Sequence, residues 1–486
     1  MGGIFGVLSQ GNCIYDLFFG TDYHSHMGTM RGGLAVLNGN RIKRAIKDIT
    51  NAQFRSKFQA ELKQLGGTFG IGVISDMDDQ PLIIRSHLGR YAIVTVGKIN
   101  NQEELIALAF QKGATHFSEI SGTTEHVDNI NSTELVATLI NQGASFEQGI
   151  VNAQDKIEGS CSLLLLTETG IYAARDKFGR TPLTIGRKYD PQIPKNQTTL
   201  IEPPSSYAIT METCAFPNLN YKIVKVLGPG EIVHITLEGI EVCKPAEKRN
   251  RICGFLWVYY GYPSSSYEGI NVELVRYRCG AALAKEDDVE VDYVCGIPDS
   301  GTSHGVGYAN ASHIPYGRPF VKYTPTWPRS FMPQDQNIRD LVAKMKLIPV
   351  EELIKNKKLL FCDDSIVRGT QLKDTIKLLY QWGAKEVHMR VACPPLVFGC
   401  KFLDFSRSRS EFDLAGRSAI RELMGDNLGD LTDFLNPDSE HYKNMVDIIR
   451  KRLSLTTLKY QHLEDLVQAI GLPKECICTY CWDGVG

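Results

Sequence analysis

Leu359-Leu360-Phe361-Cys362-Asp363-Asp364-Ser365-Ile366-Val367-Arg368-Gly369-Thr370 is the stretch whose reading decides the fold. A short apolar run ends in two adjacent carboxylates, passes through a small turn bearing hydroxyls and glycine, and gives way to a helical pattern from Gln371. The pattern predicts a buried strand, a turn and a helix N-terminus. Unpaired N–H groups and the positive end of the helix dipole make such a terminus a place for a phosphate. Acidic side chains just ahead of it suit ribose hydroxyls, or a magnesium ion, which prefers oxygen ligands. On chemistry alone a second reading stays open, in which the aspartates simply cap the helix.

The surrounding segments alternate in the same way. A helix is expected at Val272–Lys285, then a strand at Val289–Cys295 and the turn Gly296-Ile297-Pro298-Asp299-Ser300-Gly301. A helix at Gln371–Trp382 and a strand at Glu386–Ala392 follow the opening stretch. Strand–helix alternation predicts a parallel sheet covered on both faces. Ligands of such sheets bind beyond the carboxyl ends of the strands, where both polar turns fall. Before about residue 240 the rhythm differs. Strands are expected at residues 3–9, Gly66–Ile74, Pro81–Ile84, Tyr91–Val96, Cys161–Thr167 and Gly170–Ala174, with helices at Ala52–Leu65, Gln102–Lys112 and Thr133–Asn141. That mixture predicts an α+β domain.

A chain of 486 residues holds two or three domains with sizeable cores. With 43% hydrophobic residues and a net charge of −2 it reads as an ordinary soluble protein. No basic excess points to nucleic acid, and no apolar run reaches the roughly 18–20 residues of a membrane helix. The opening Met-Gly-Gly-Ile-Phe-Gly-Val lacks the basic region and apolar core of a signal peptide, so a cytoplasmic location is expected. The 13 cysteines are irregularly spaced, which in that compartment points to reduced core residues, metal ligands or catalytic groups. Only Cys476-Ile477-Cys478-Thr479-Tyr480-Cys481 is dense.

Asp-Asp-Ser-Ile-Val-Arg-Gly-Thr after an apolar strand resembles the phosphoribosylpyrophosphate (PRPP) signature of type I phosphoribosyltransferases, in the form seen in the glutamine PRPP amidotransferase family. Pro298-Asp299-Ser300-Gly301 resembles that family's pyrophosphate loop, and Gly307-Tyr308-Ala309 follows it as there. Lys322-Tyr323 and Arg329-Ser330-Phe331, with Gln336 and Arg339, resemble its lid over PRPP. The resemblance spans nearly the whole chain. It implies a four-layer αββα N-terminal-nucleophile glutaminase-like domain over residues 1–245. An α/β phosphoribosyltransferase domain over 246–455 and a C-terminal segment over 456–486 follow.

By resemblance Asp363 and Asp364 hold the ribose hydroxyls and, with Ser300, the magnesium. Ser365, Ile366, Val367, Arg368, Gly369 and Thr370 cradle the 5′-phosphate, Asp299, Ser300 and Gly301 take the pyrophosphate, and Lys322 and Arg329 act from the lid. One departure is Gln371, where the family usually carries a second threonine. The implied reaction displaces pyrophosphate from PRPP with ammonia, giving phosphoribosylamine for purine nucleotides, and the family's habit is a dimer or tetramer. Cys253, Cys400, Cys478 and Cys481 stand where iron–sulfur members place the ligands of a 4Fe–4S cluster. Zinc, which also takes four thiolates, and unrelated core cysteines stay open, and Cys476 is a further thiol nearby.

Arg175-Asp176 with Gly179, Pro182 and Leu183 resembles the family's glutaminase domain, whose nucleophile is a cysteine directly after the initiator Met and whose base is that residue's α-amino group. Here that position is Gly2. The residue for the arginine that holds the substrate carboxylate is Ser75, that for the oxyanion-hole asparagine is Val96, and that for a substrate-binding carboxylate is Ser132. Losing one oxyanion donor costs ~10²–10³ in rate, and losing a nucleophile costs on the order of 10⁶. The glutaminase half-reaction is therefore expected to be absent. Cys13 is no substitute, lying past the first strand without an adjacent α-amino base. The ammonia then comes free or from a separate glutaminase-active partner, or another nucleophile is used. The rival reading is a catalytically silent PRPP-sensing regulator or scaffold of an active amidotransferase.

Overall fold

Ile4, Leu8, Val73, Val94, Leu164 and Ile209 form one buried cluster, drawn from strands of two antiparallel sheets that face each other. The computed structural model describes all residues except 1, 77, 114–115, 119–129, 190–204, 286, 324–346, 404–410 and 427–428. The first sheet has the order Lys222–Val226, Thr184–Lys188, Ser206–Thr210, Gly3–Ser9, Phe69–Ser75, Arg31–Asn38, Arg41–Asp48. Its central strand Gly3–Ser9 is buried at every position but the last, which explains its unbroken apolar and glycine composition. The second sheet has the order Ile240–Lys244, Ile232–Ile235, Ile171–Ala174, Gly159–Leu166, Gly89–Ile99, Leu82–Ser86.

Helices cover both outer faces. Ile14–Asp22 and Phe54–Phe58 bury Leu17, Phe18, Phe54 and Phe58 against the first sheet. Ser132–Ile140 and Phe146–Lys156 bury Leu135, Leu139 and Ile150 against the second. The layers therefore run α, β, β, α, as the resemblance implies.

The second unit is built on four parallel strands in the order Tyr293–Gly296, Lys358–Asp363, Glu386–Val391, Thr457–Tyr460. Along Leu359–Cys362 the side chains alternate between faces. Leu359 and Phe361 join a cluster with Ile376, Leu379 and Met389, and Leu360 and Cys362 join Val294, Tyr308 and Ala309. Burial on both faces is what makes this strand read as one apolar run. Ile477–Cys478 pairs in parallel with Ile252–Cys253, returning the end of the chain to where the second unit begins. No helix among the described residues is long and apolar enough to cross a membrane.

The expected elements mostly appear within a few residues of their expected ends, and Val272–Lys285 matches at both. Two differ. The helix expected at Ala52–Leu65 is only Phe54–Phe58, followed by a tighter turn at Glu61–Lys63; the apolar spacing correctly marks the buried face, but the chain narrows after Gln59. The strand expected from Val289 starts at Tyr293, because the Asp292 carboxylate takes the Lys358 N–H at 2.8 Å and ladder pairing begins after it.

Candidate functional site

The two polar turns lie side by side at the carboxyl ends of adjacent strands. The Ile297 N–H donates to the Cys362 carbonyl at 3.0 Å. A Cβ on Gly301 would come 2.1 Å from that same oxygen, so only glycine lets the turns approach this closely. Ser300 Oγ donates to Asp363 Oδ1 at 3.0 Å, and the Asp364 N–H donates to the same oxygen at 2.9 Å. Ser300 and the aspartate pair, taken from separate segments as one binding set, are thus in direct contact. Asp299 and Lys322 form an ion pair beside them. Gly369 turns into the helix Thr370–Gln381 at φ +77°, a left-handed backbone that glycine adopts freely. Arg368 lies 3.8 Å from Asp413.

Asp363 and Asp364 are both buried, and burial pushes both carboxyls above their ordinary value, with the Asp364 charge adding to the shift at Asp363. The Arg276 guanidinium pulls Asp364 the other way. Arg276 is itself buried and held by the carbonyls of Trp257, Tyr259 and Gly261 at 2.9 Å each. It was not among the expected site residues. Its signal was present: a charged side chain on the helix face that also carries Val272, Val275 and Cys279. Arg329, Ser330, Phe331, Gln336 and Arg339 lie outside the described residues.

In the first domain Gly2 is buried, and a Cβ there would lie 2.4 Å from the Ile74 carbonyl and 3.4 Å from Ser75 Cα. Val96 sits mid-strand opposite Ser162. Ser132 opens a helix, its N–H donating to Asp78 Oδ2 at 3.0 Å. Thr95 and Thr133, the neighbours of Val96 and Ser132, are joined hydroxyl to hydroxyl at 2.7 Å, and the Thr95 N–H donates to Gln80 Oε1 at 2.7 Å. Cys13 is buried in the helix-covered cluster with Val7 and Leu17, and burial pushes its thiol up to about 12, which leaves no nucleophilic thiolate at neutral pH.

Comparison with known proteins agrees with this architecture. Residues 68–193 match the model of a glutamine amidotransferase domain family. The amidophosphoribosyltransferase of Methanocaldococcus jannaschii is 30% identical over 512 aligned positions, covering 100% of this chain and 97% of that one. The chain belongs to the amidophosphoribosyltransferase family. The amidophosphoribosyltransferase of Synechocystis is 29% identical over 87% of this chain and 83% of that one. The glutamine PRPP amidotransferase of B. subtilis, solved with ADP and GMP, superposes with a TM-score of 0.82 at 26% identity, over 99% of this chain and 96% of that one.

Within this family fold the four cysteines singled out in the sequence line one cavity of about 10 Å³, near the space of a single water. Cys253 and Cys478 are brought there as neighbours in the short parallel pair, Cys481 by the turn after it, and Cys400 from the segment following Cys393. The Leu403 N–H donates to Cys400 Sγ at 3.4 Å. Burial and the neighbouring thiols push Cys253 upward, and contact with Cys400 does the same to Cys481. Cys476 does not line the cavity. Among the described residues no group of three or more His, Cys, Asp or Glu side chains is arranged to hold a metal ion as it stands. The donor set nevertheless fits a four-thiolate group: four thiols, one shared wall, apolar surroundings from Phe255, Phe402 and Trp482.

Proposed function

We propose that this family member aminates PRPP with ammonia that it does not generate from glutamine. The observation that carries the first half is the contact of Ser300 with Asp363, which unites the pyrophosphate turn with the carboxylate pair. Two adjacent buried carboxylates, each with its ionisation disfavoured, suit a bound cation and ribose hydroxyls, and Ser300, Asp363 and Asp364 are the residues that would hold magnesium. Magnesium, when bound, neutralises charge on the leaving pyrophosphate. The turn Ser365–Thr370 presents main-chain N–H groups at the start of a 12-residue helix for the 5′-phosphate. Lys322, beside Asp299, adds a positive charge on the pyrophosphate side. Ammonia attacks ribose C1, the C1–oxygen bond breaks with its electron pair leaving on pyrophosphate, and the nitrogen sheds a proton to water. Most of the acceleration asked of these residues is orientation and exclusion of water.

The second half rests on the closed space at Gly2, where a side chain would collide with the Ile74 carbonyl, and on Ser75, Val96 and Ser132 standing where the family's glutamine-holding groups are expected. The four cysteines are proposed to hold a 4Fe–4S cluster.

The test is pyrophosphate release from PRPP and magnesium, with ammonium or glutamine as nitrogen donor. Turnover with ammonium and none above background with glutamine is expected, and Asp363→Asn with Asp364→Asn should abolish PRPP binding. No turnover at any ammonium concentration, or equal turnover with glutamine, overturns the reading.

A further inference from the structure

Arg180 lines the same cavity as the four cysteines. Its guanidinium lies 3.6 Å from the centre of the Phe402 ring and 4.8 Å from that of Phe178, so aromatic faces hold it in place. The side chain is 4% exposed, and its Nε and Nη1 are buried without a hydrogen-bond partner. Its own carbonyl accepts the Cys253 N–H at 3.1 Å, which fixes its backbone against one of the four cysteines.

A buried guanidinium with unused donors is costly unless an anion completes it. Four thiolates outweigh the positive charge of an iron–sulfur core, so a cluster in this cavity is that anion. We infer that Arg180 is a positioning and charge-compensating residue for the cluster, reaching it from the glutaminase-like domain and raising its reduction potential. The inference rests on the four-cysteine cluster reading. A fixed positive charge favours the state with one more electron, because that state carries the larger negative charge. Two features make the effect large: the site is buried, so water screens it little, and the rings prevent the charge from swinging away.

The experiment uses the full chain purified without oxygen. Iron, sulfide and zinc are measured first, then the midpoint potential by redox titration followed by electron paramagnetic resonance. Arg180→Gln is expected to retain iron and sulfide but to change the reduced-to-oxidised ratio at a fixed potential at least tenfold towards oxidised, about 59 mV for one electron. Arg180→Lys, which keeps the charge, should recover part of that shift. Iron bound with the same potential in all three proteins overturns the role of Arg180 while leaving the cluster in place. Zinc without iron, or no metal, overturns the cluster reading and this inference with it.

Discussion

Position 2 offers the sharpest test, because a glycine there can be enlarged by a single carbon. A Cβ built on Gly2 lies 2.4 Å from the Ile74 carbonyl, and ordinary contact begins at 3.4 Å, so about 1 Å of movement is needed. The obstacle is main chain and cannot rotate aside. Ile74 is paired with Gly3 on one side and Gly32 on the other, within the middle of the seven-stranded sheet, so moving it strains two ladders. Overpacking of this kind costs about 1–3 kcal/mol, and we take about 2 kcal/mol as the expectation. For a domain of this size each kcal/mol corresponds to ~2–4 °C, so an apparent melting temperature about 4–8 °C lower is expected for both Gly2→Ala and Gly2→Cys. The alanine variant carries the same Cβ and no thiol, which separates the packing cost from any chemistry. Gly2→Cys should still release no glutamate from glutamine, since Ser75, Val96 and Ser132 supply none of the other expected groups. Differential scanning fluorimetry at one scan rate and a coupled glutamate assay are sufficient. Variants that melt with the parent protein would show that position 2 has room, and glutamate release by Gly2→Cys would refute the claim that the pocket is dismantled beyond its nucleophile.

Asp363→Asn should stabilise the metal-free protein more at pH 7–8 than near pH 4–5. The folded carboxyl is held above its ordinary value of about 4, so the folded state keeps a proton the unfolded state loses and stability falls as pH rises through that window; a melting difference independent of pH would contradict this. Arg390→Leu should cost about 3 kcal/mol or more, because Arg390 and Asp287 form a fully buried two-point ion pair, the second bond 2.9 Å long, and the carboxyl is held down at about 2. Adding Asp287→Leu should recover part of the loss in chemical denaturation, and additive losses would sink the pairing argument. Gln371→Thr, in the first turn of the helix that begins the phosphate site, should tighten PRPP by about fivefold, the worth of one hydrogen bond of ~1 kcal/mol; an unchanged dissociation constant by calorimetry would remove that side chain from the phosphate's reach.

What was legible in the sequence follows from how local the cause was. The strand Lys358–Asp363, its turn and its helix are specified by neighbouring residues, and so is Val272–Lys285, whose buried face recurs at Val272, Val275, Cys279 and Gly280 around the charged Arg276. The hairpin Arg31–Asn38/Arg41–Asp48 was not expected, because its outer strand is rich in basic residues and lies at a sheet edge where one partner suffices. Arg180 and Arg276 matter through what faces them from other segments, which no window of sequence contains. The closure at Gly2 is more remote still: it depends on a carbonyl oxygen of Ile74, and main-chain oxygens carry no residue identity.

The part of the glutaminase-like signature around Arg175-Asp176 has a structural role of its own. Arg175 is fully buried and spends its guanidinium on the carbonyls of Thr181 and Gly179, at 2.8 and 2.6 Å, and on Glu268 of the second unit at 2.7 Å. Asp176 accepts the Thr181 N–H at 3.0 Å and the Phe178 N–H at 3.2 Å. The Phe178 carbonyl in turn accepts the Arg251 N–H at 2.7 Å, at the start of the second unit. Nearby, the buried Glu212 carboxylate is bound by Ser265 and Tyr267 across the same junction. Removing any of these would strand buried polar groups and loosen the seat of the phosphoribosyltransferase sheet. Gly2 and Val96, by contrast, have no polar side-chain atom with which to make such a bond. A chain that no longer used glutamine would still keep Arg175 and Asp176, because their bonds hold the two units together.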